Sequence, residues 1–351
     1  MTTATAGRPL GAGGWGRLAW PAWRPHRAAL TALAVLSVVL AAVMLAAALL
    51  GQAHYATLVR DHCLSGDVQV RCGPPAAGFP RLDSNYYPVA VALAAWILPV
   101  LAAVFLGAPL LAREYERGTA RFTWTQGTSR TSWLLASLAT LAVPVVAGAA
   151  VLGALAEWSL QPFEAMAVAS RWKEFFDATP LTLAAWALFA LLLGVAAGAV
   201  LRRVVPAMAV AGGAVAALVL VNAYQLHDVL LNTGAILTRV RLLAPQAYPP
   251  AVNADRFFFI LPVAGVRSGS WIVDGWVRNR NGHRMTDPAI DRLWSSEKPQ
   301  AWLASQHATA WIRYQPGGHF WALQGLETGV LLALALALAA ATVVLIRRSS
   351  T

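Results

Sequence analysis

Six nearly uninterrupted apolar runs restrict what this chain can fold into more than any other feature of its sequence. A helix of about 20 apolar residues crosses a hydrocarbon core of roughly 30 Å, and lipid requires a backbone that satisfies its own hydrogen bonds. The first run is longer than the roughly 7–15 residues of a cleaved signal peptide, so we interpret it as a retained span. The chain is therefore predicted to be an all-α polytopic membrane protein with six transmembrane helices, at Ala28–Leu50, Pro88–Ala112, Trp133–Ala156, Leu181–Leu201, Val204–Asn222 and Leu326–Ile346.

The arginines at the ends of these runs predict an orientation. Twelve basic residues lie on one side of the predicted membrane, in the tail before the first run, the loop after the second, the turn after the fourth and the chain end. The short loops on the opposite side contain five. The positive-inside rule then makes both termini cytoplasmic. The predicted organisation is a cytoplasmic tail (1–27), transmembrane helices one to five (28–222) with a cytoplasmic loop at 113–132, a small α+β outward-facing extracytoplasmic domain (223–324), helix six (325–346) and a second cytoplasmic tail (347–351).

Composition excludes several classes of function. The net charge is +11, but the arginines cluster at the ends of apolar runs, so we expect membrane lipid and no nucleic acid as a partner. Arginine outnumbers lysine 25 to 2, a compositional bias that suggests a GC-rich bacterial genome. The expected location is the bacterial plasma membrane, which the chain crosses several times. The middles of the spans contain no ionisable residue, which weighs against an ion-coupled transporter and favours a hydrophobic or amphipathic substrate. Glu157 and Glu327, near span ends, are expected to be interfacial.

No nucleotide-binding motif is found in the sequence. A P-loop needs a lysine between glycine and serine or threonine, and the two lysines, Lys173 and Lys298, follow Trp172 and Glu297. The glycine-rich Gly11–Gly16 segment fits a dinucleotide-binding pattern literally, but no strand precedes it. We therefore expect no catalytic residues, no metal and no cofactor in this chain, and any ATP would be hydrolysed by another polypeptide.

Two outward segments contain candidate structural features. Cys63 and Cys72 fall in the first outward loop, where an oxidising exterior permits a disulfide; free thiols, or metal binding with the nearby His54 and His62, are the alternatives. In the outward domain, Trp271–Met285 resembles a strand, an Asn281-Gly282 turn and a second strand. Asp287–Glu297 and Pro299–Ala310 resemble two short helices. The tryptophans of this domain are either ligand-binding residues or core and interface anchors.

Gly194-x-x-x-Gly198 in the fourth run permits close helix approach, although it is weak evidence for a dimer face.

The cytoplasmic stretch Leu111–Arg130, LAREYERGTARFTWTQGTSR, is unusually polar for its position between two apolar runs. Gly118 can end the preceding helix in a left-handed cap, and Thr128, Ser129 or Thr131 can cap the next helix. Between these caps Ala120–Thr125 alternates in polarity, which by period favours a strand. An isolated strand has no partner for its backbone, so the pattern alone leaves both shapes open.

Two segments carry a family resemblance. Arg113–Leu138, REYERGTARFTWTQGTSRTSWLLASL, resembles the cytoplasmic loop and third-span start of permease (transmembrane) subunits of type 2 ABC exporters, especially the actinobacterial group. Tyr314–Leu332, YQPGGHFWALQGLETGVLL, is similar to the stretch that leads into the final span of that group. Ser137 departs from the pattern, since many relatives have a lysine there.

The resemblance implies a division of labour between subunits. A cytoplasmic ABC ATPase dimer would bind ATP and Mg²⁺, and two six-span permease subunits, identical or related, would form the path. Ala120–Thr125 would then belong to a short coupling helix, with Phe122 and Trp124 as apolar anchors and charged neighbours for steering. The candidate ATPase-coupling residues are Arg113, Glu114, Glu116, Arg117, Gly118, Thr119, Arg121, Phe122, Trp124, Gln126 and Arg130. The alternatives are a solvated loop that only fixes topology and, for the whole chain, a membrane-anchored sensor or assembly factor that acts through its extracytoplasmic domain.

Overall fold

The computed structural model describes residues 12–60, 86–118, 130–165, 176–222, 227–242, 263–264, 270–285 and 299–348. The chain forms two compact units, one of Met1–Thr57, Phe79–Val219 and Glu327–Thr351, the other of Leu58–Gly78 and Leu220–Leu326. In chain order the elements are α1 (Ala12–Arg60), α2 (Tyr86–Leu101), a π-helical segment (Ala102–Gly107), α3 (Ala108–Glu116), α4 (Arg130–Ala165), α5 (Pro180–Leu201), α6 (Val204–Val221), α7 (His227–Asn232), β1 (Ile236–Leu242), β2 (Val263–Ala264), β3 (Trp271–Arg278), α8 (Pro299–Ser305), β4 (Thr309–Gln315), a 3₁₀ turn (Gly317–His319) and α9 (Phe320–Arg348).

The six predicted spans are confirmed as helices. Within the described residues, six helical stretches are long and apolar enough to cross a membrane: His26–Ala53, Leu93–Glu116, Thr131–Gln161, Pro180–Leu201, Val204–Val221 and Gly317–Arg348. Each overlaps one predicted apolar run, so the chain is a mostly helical multi-pass membrane protein with a small sheet. The orientation of the termini and the outward placement of residues 223–324 stay predictions.

A two-residue turn divides the long apolar stretch between Pro180 and Val221 into two helices. Pro180 begins α5, where its missing N–H is not needed. Arg202 ends α5 in the left-handed conformation, with φ 55°, and its N–H donates to the Gly198 carbonyl at 3.1 Å. Helix α6 begins two residues later, at Val204.

Small residues allow α5 to pack closely against the segment from Ala102 to Ala112. A Cβ on Gly194 would collide with the Ala103 carbonyl oxygen and lie 2.9 Å from the Ala108 nitrogen. A Cβ on Gly198 would collide with the Ala108 carbonyl oxygen, and one on Gly107 with the Leu191 carbonyl oxygen. The Gly194-x-x-x-Gly198 pair therefore packs against backbone of the same chain. Among the six apolar helices of the described residues, α5 is the most buried.

The second unit contains a four-stranded antiparallel sheet of strand order β2-β1-β4-β3. Trp276 of β3 and Arg239 of β1 both pair with Trp311 of β4, so these three side chains share one face. The neighbouring positions Val277, Ala310 and Ile312 are buried, as is Leu303 of α8. This alternation places the unit's apolar core on the other face of the sheet.

The structure confirms part of the secondary structure predicted for this unit and corrects the rest. The strand at Trp271–Arg278 and the Asn281-Gly282 turn are confirmed, but the second strand reduces to a single bridge between Arg278 and Arg284. The predicted helix Pro299–Ala310 was too long, because it ends at Ser305. His307 has a φ of 48°, its N–H donates to the Ala304 carbonyl, and Ala308 N–H donates to the Leu303 carbonyl. These bonds form a Schellman motif that stops the helix. Asp287–Glu297 lies outside the described residues.

Candidate functional site

The predicted coupling segment begins at the end of α3, and the structure describes its first part. Arg113 and Glu114 are half-buried, whereas Glu116, Arg117 and Gly118 are exposed. Arg130 is the first residue of α4. Outside the described residues lie Thr119, Arg121, Phe122, Trp124 and Gln126, the predicted coupling helix over Ala120–Thr125, and the disulfide candidates Cys63 and Cys72.

Gly118 ends the second span as the sequence predicts. Its φ is +68°, and its N–H donates to the Tyr115 carbonyl at 3.2 Å, while Arg117 N–H donates to the Arg113 carbonyl at 3.0 Å. A glycine adopts this left-handed conformation without steric cost. A Cβ at Gly118 would meet nothing within 4 Å, so the backbone conformation alone is what favours glycine there.

Glu116 joins the end of the second span to the start of the fifth. Its Oε2 accepts a hydrogen bond from the backbone N–H of Val204, the first residue of α6, at 3.2 Å. The first N–H groups of a helix have no partner within the helix and carry the positive end of its dipole, so a carboxylate there is favourable. Glu116 therefore caps α6, a role that sequence reasoning missed because the two residues lie 88 positions apart.

Tyr115 and Arg202 make a second contact at the same junction. The guanidinium carbon of Arg202 lies 5.3 Å from the centroid of the Tyr115 ring, a distance typical of a cation–π interaction. Arg202 and Arg203 are exposed. The end of α3 and the α5–α6 turn thus form one connected surface, named here the α3–α6 junction, which carries exposed groups of both charges immediately before the segment 119–129.

A separate polar cluster lies inside the helical unit, between α5 and α9. The Trp186 indole Nε1 donates to Glu327 Oε1 at 3.1 Å, and Glu327 is only 6% exposed. The hydroxyls of Thr182 and Thr328, both buried, lie 3.5 Å apart. Sequence reasoning expected Glu327 to be interfacial, and the structure adds that protein covers its side chain. The signal for this burial was the acid in an otherwise apolar run, but its partner Trp186 lies 141 positions away.

Aromatic rings fix the position of the Trp186 indole. The Trp96 ring of α2 meets it edge-on, with centroids 5.0 Å apart and planes at 73°. Phe189, one helical turn along α5, makes a second edge-on contact at 5.8 Å. Such contacts stabilise aromatic pairs beyond their burial alone. The hydrogen bond to Glu327 is therefore made by an indole that rings of α2 and of its own helix already hold in place.

An apolar pocket of about 340 Å³ lies among α1, α2 and α4. Its lining includes Leu30 and Val38 of α1, Leu98 of α2, and Pro144 and Leu152 of α4. The hydroxyl of Ser37, also in the lining, donates to the Leu33 carbonyl at 2.8 Å. The pocket therefore suits an apolar group. In the described part of the chain, no three His, Cys, Asp or Glu side chains lie together as metal ligands would.

These features together define a multi-pass helical membrane protein. Residues 32–226, more than half of the chain, match the family described as ABC-2 membrane transporter related, and the chain belongs to this family. It is therefore a type 2 ABC transporter permease, as its resemblance predicted, and such permeases generally work with an ABC ATPase. The matched region includes the loop 113–132 and α6. No curated protein and no solved structure matches the chain.

Proposed function

We propose that this chain is the membrane-spanning subunit of an ATP-driven exporter and that its loop 113–132 contacts a separate cytoplasmic ATPase dimer. That partner binds ATP and Mg²⁺, and a second permease subunit, identical or related, completes the translocation path. Both termini are cytoplasmic, residues 223–324 form an extracytoplasmic domain, and the bacterial plasma membrane is the location. The positive-inside count supports this arrangement.

The α3–α6 junction is the observation that carries the coupling proposal. A soluble motor that binds the segment 119–129 displaces the end of α3, because the segment continues directly from Gly118. Glu116 is bonded to Val204 and Tyr115 contacts Arg202, so this displacement also reaches the α5–α6 turn. One contact surface thereby acts on three of the spans, which is what a mechanical coupling site requires.

The substrate proposed for the exporter is hydrophobic or amphipathic. The pocket among α1, α2 and α4 has a volume of about 340 Å³ and an almost wholly apolar lining, within the range of small-molecule sites. Glu327 provides one acidic group in the same helical unit, covered by protein and bonded to Trp186. The apolar lining of the pocket does not suit a small hydrophilic ion.

The outward loop is proposed to contain a Cys63–Cys72 disulfide, because the inferred exterior is oxidising. Maleimide labelling of the denatured chain, with and without prior reduction, checks this pairing. Two thiols should become reactive only after reduction, and equal labelling of the unreduced chain contradicts the bond.

Replacement of both predicted anchors tests the coupling. We expect Phe122→Ala/Trp124→Ala to insert normally but to lose co-purification with the ATPase and ATP-dependent transport, because the apolar contacts are removed. Trp321→Ala is the matched control, since Trp321 is 57% exposed and is predicted to lie at the opposite membrane surface. Unchanged association and unchanged transport in the double variant would eliminate the coupling role. A chain that never co-purifies with an ATPase but binds an external ligand would instead favour the sensor or assembly factor.

A further inference from the structure

Arginines and tryptophans alternate across one face of the sheet in the second unit. Trp276 and Trp311 are cross-strand partners on β3 and β4, and Arg239 of β1 pairs with Trp311 from the other side. Guanidinium carbons lie over the Trp276 ring at 4.2 Å (Arg284), 5.7 Å (Arg278) and 5.8 Å (Arg313), and over the Trp311 ring at 5.4 Å (Arg278) and 5.7 Å (Arg239). We name these six residues the Arg–Trp face.

Positive charge on the Arg–Trp face is only partly balanced by protein groups. Arg284 Nη2 lies 3.2 Å from Asp274 Oδ2, and Arg313 Nη1 donates to Asn232 Oδ1 at 2.8 Å. For Arg239 and Arg278, by contrast, no acceptor is found among the described residues, although their guanidinium groups lie over the rings. Within the described part of the chain, one carboxylate therefore faces four guanidinium groups, and two of these groups have no protein acceptor for their N–H donors.

The buried indole N–H of Trp276 also lacks an acceptor among the described residues. Trp276 is only 4% exposed. A buried indole N–H usually has a partner, and leaving it unpaired is costly. Three guanidinium carbons lie within 6 Å of this ring. An anion that offers several oxygen acceptors satisfies both the indole and the arginines.

We propose that the Arg–Trp face binds a phosphate-type oxyanion and that the headgroup of an anionic phospholipid supplies it. Arginine presents a planar fork of donors that matches a phosphate, and contact with an aromatic ring preorganises that fork. The second unit includes Phe320–Leu326, the first turns of the last span, so it reaches the start of a membrane helix. Trp321 in these turns is 57% exposed, as expected of an aromatic anchor at a lipid headgroup level. The inference goes beyond ATPase coupling and does not depend on it.

The indole proton of Trp276 gives a site-specific test. The full chain, labelled with ¹⁵N-tryptophan in neutral-detergent micelles, is titrated with short-chain phosphatidylglycerol, phosphatidylcholine or inorganic phosphate, and Trp276→Phe assigns the resonance. We expect a saturable downfield shift with phosphatidylglycerol and little change with phosphatidylcholine. If inorganic phosphate alone gives a saturable shift equal to that with phosphatidylglycerol, the oxyanion site is supported. Its ligand would then be a soluble phosphate and not a lipid headgroup. The absence of any saturable shift with both phosphatidylglycerol and phosphate overturns the site.

Variants separate a built site from diffuse positive charge. Arg278→Gln should raise the titration midpoint by roughly 10-fold, because one charge-assisted hydrogen bond is lost. Arg280→Gln, two residues along the chain at an exposed position, is the matched control and should change the midpoint less than about twofold. Arg239→Gln, at an exposed position of β1, gives a second measurement should Arg278→Gln fold poorly. Equal losses from Arg280→Gln and the two ring-stacked variants would overturn the proposal. The proposal is also overturned if Arg278→Gln and Arg239→Gln lower thermal stability but leave the titration midpoint unchanged. The Arg–Trp face would then be only a structural contact.

Discussion

A single added methyl group at Gly194 should disturb the packing of the membrane unit. Its Cβ would collide with the Ala103 carbonyl oxygen and lie 2.9 Å from the Ala108 nitrogen. Both neighbours are backbone atoms, so no side-chain rotation can relieve the contact and the helices must separate. Overpacking of this kind costs about 1–3 kcal/mol or more, against about 0.8–1 kcal/mol gained in helix propensity. We expect Gly194→Ala to lower the free energy of unfolding by about 2 kcal/mol.

Gly213 provides the matched control for this substitution. It lies in α6, is exposed, and a Cβ there would meet nothing within 4 Å. Gly213→Ala should therefore be neutral or stabilising by up to about 1 kcal/mol. Reversible SDS-induced unfolding in mixed micelles, followed by tryptophan fluorescence, compares the two variants directly. Equal free energies of unfolding for Gly194→Ala and Gly213→Ala would refute the close backbone packing of α5.

The remaining predictions concern single polar contacts and one backbone position. Glu327→Ala removes the acceptor of the Trp186 indole and should lower the free energy of unfolding by about 1–3 kcal/mol. Glu327→Gln keeps an acceptor oxygen and should lower the free energy of unfolding clearly less. Equal losses of stability in the two variants would contradict this hydrogen bond. Glu116→Ala should weaken the cap of α6 by about 0.5–2 kcal/mol and speed amide exchange at Val204, and unchanged exchange there would contradict the cap. Gly118→Ala should lower the free energy of unfolding by about 1–2 kcal/mol, because an alanine is unfavourable at positive φ. Gly118→Asn should lower the free energy of unfolding less, because asparagine tolerates that conformation. A larger loss for Gly118→Asn than for Gly118→Ala would indicate steric crowding at this position.

The helical architecture was predictable because each span carries its own signal. A run such as Val204–Asn222 needs no distant partner to be recognised, since its length and apolarity alone indicate a membrane helix. Gly118 was predictable for the same reason, because a cap depends on the residues next to it. Strands β1 and β4 were missed because their stability comes from pairing with each other across about 70 residues of intervening sequence, which local alternation does not report.

The candidate site was predictable in position but not in its contacts. The polarity of Arg113–Arg130 between two apolar runs marked the segment, and the family resemblance gave it a role. Nothing local showed that Glu116 accepts a hydrogen bond from Val204, or that Trp186 donates to Glu327. Each contact joins elements that only the folded helix bundle brings together, and the residues involved have no shared period or motif.

Photo-crosslinking shows directly whether the segment 119–129 touches a cytoplasmic ATPase. A photoreactive phenylalanine analogue replaces Phe122 in one version of the chain and Asn281, on the exposed turn of the second unit, in another. Each version is expressed with its partner ATPase and irradiated in transport-active membranes. We expect a crosslink to the ATPase from position 122 and none from position 281. A crosslink from position 281, or none from position 122 in a transport-active complex, would contradict this contact.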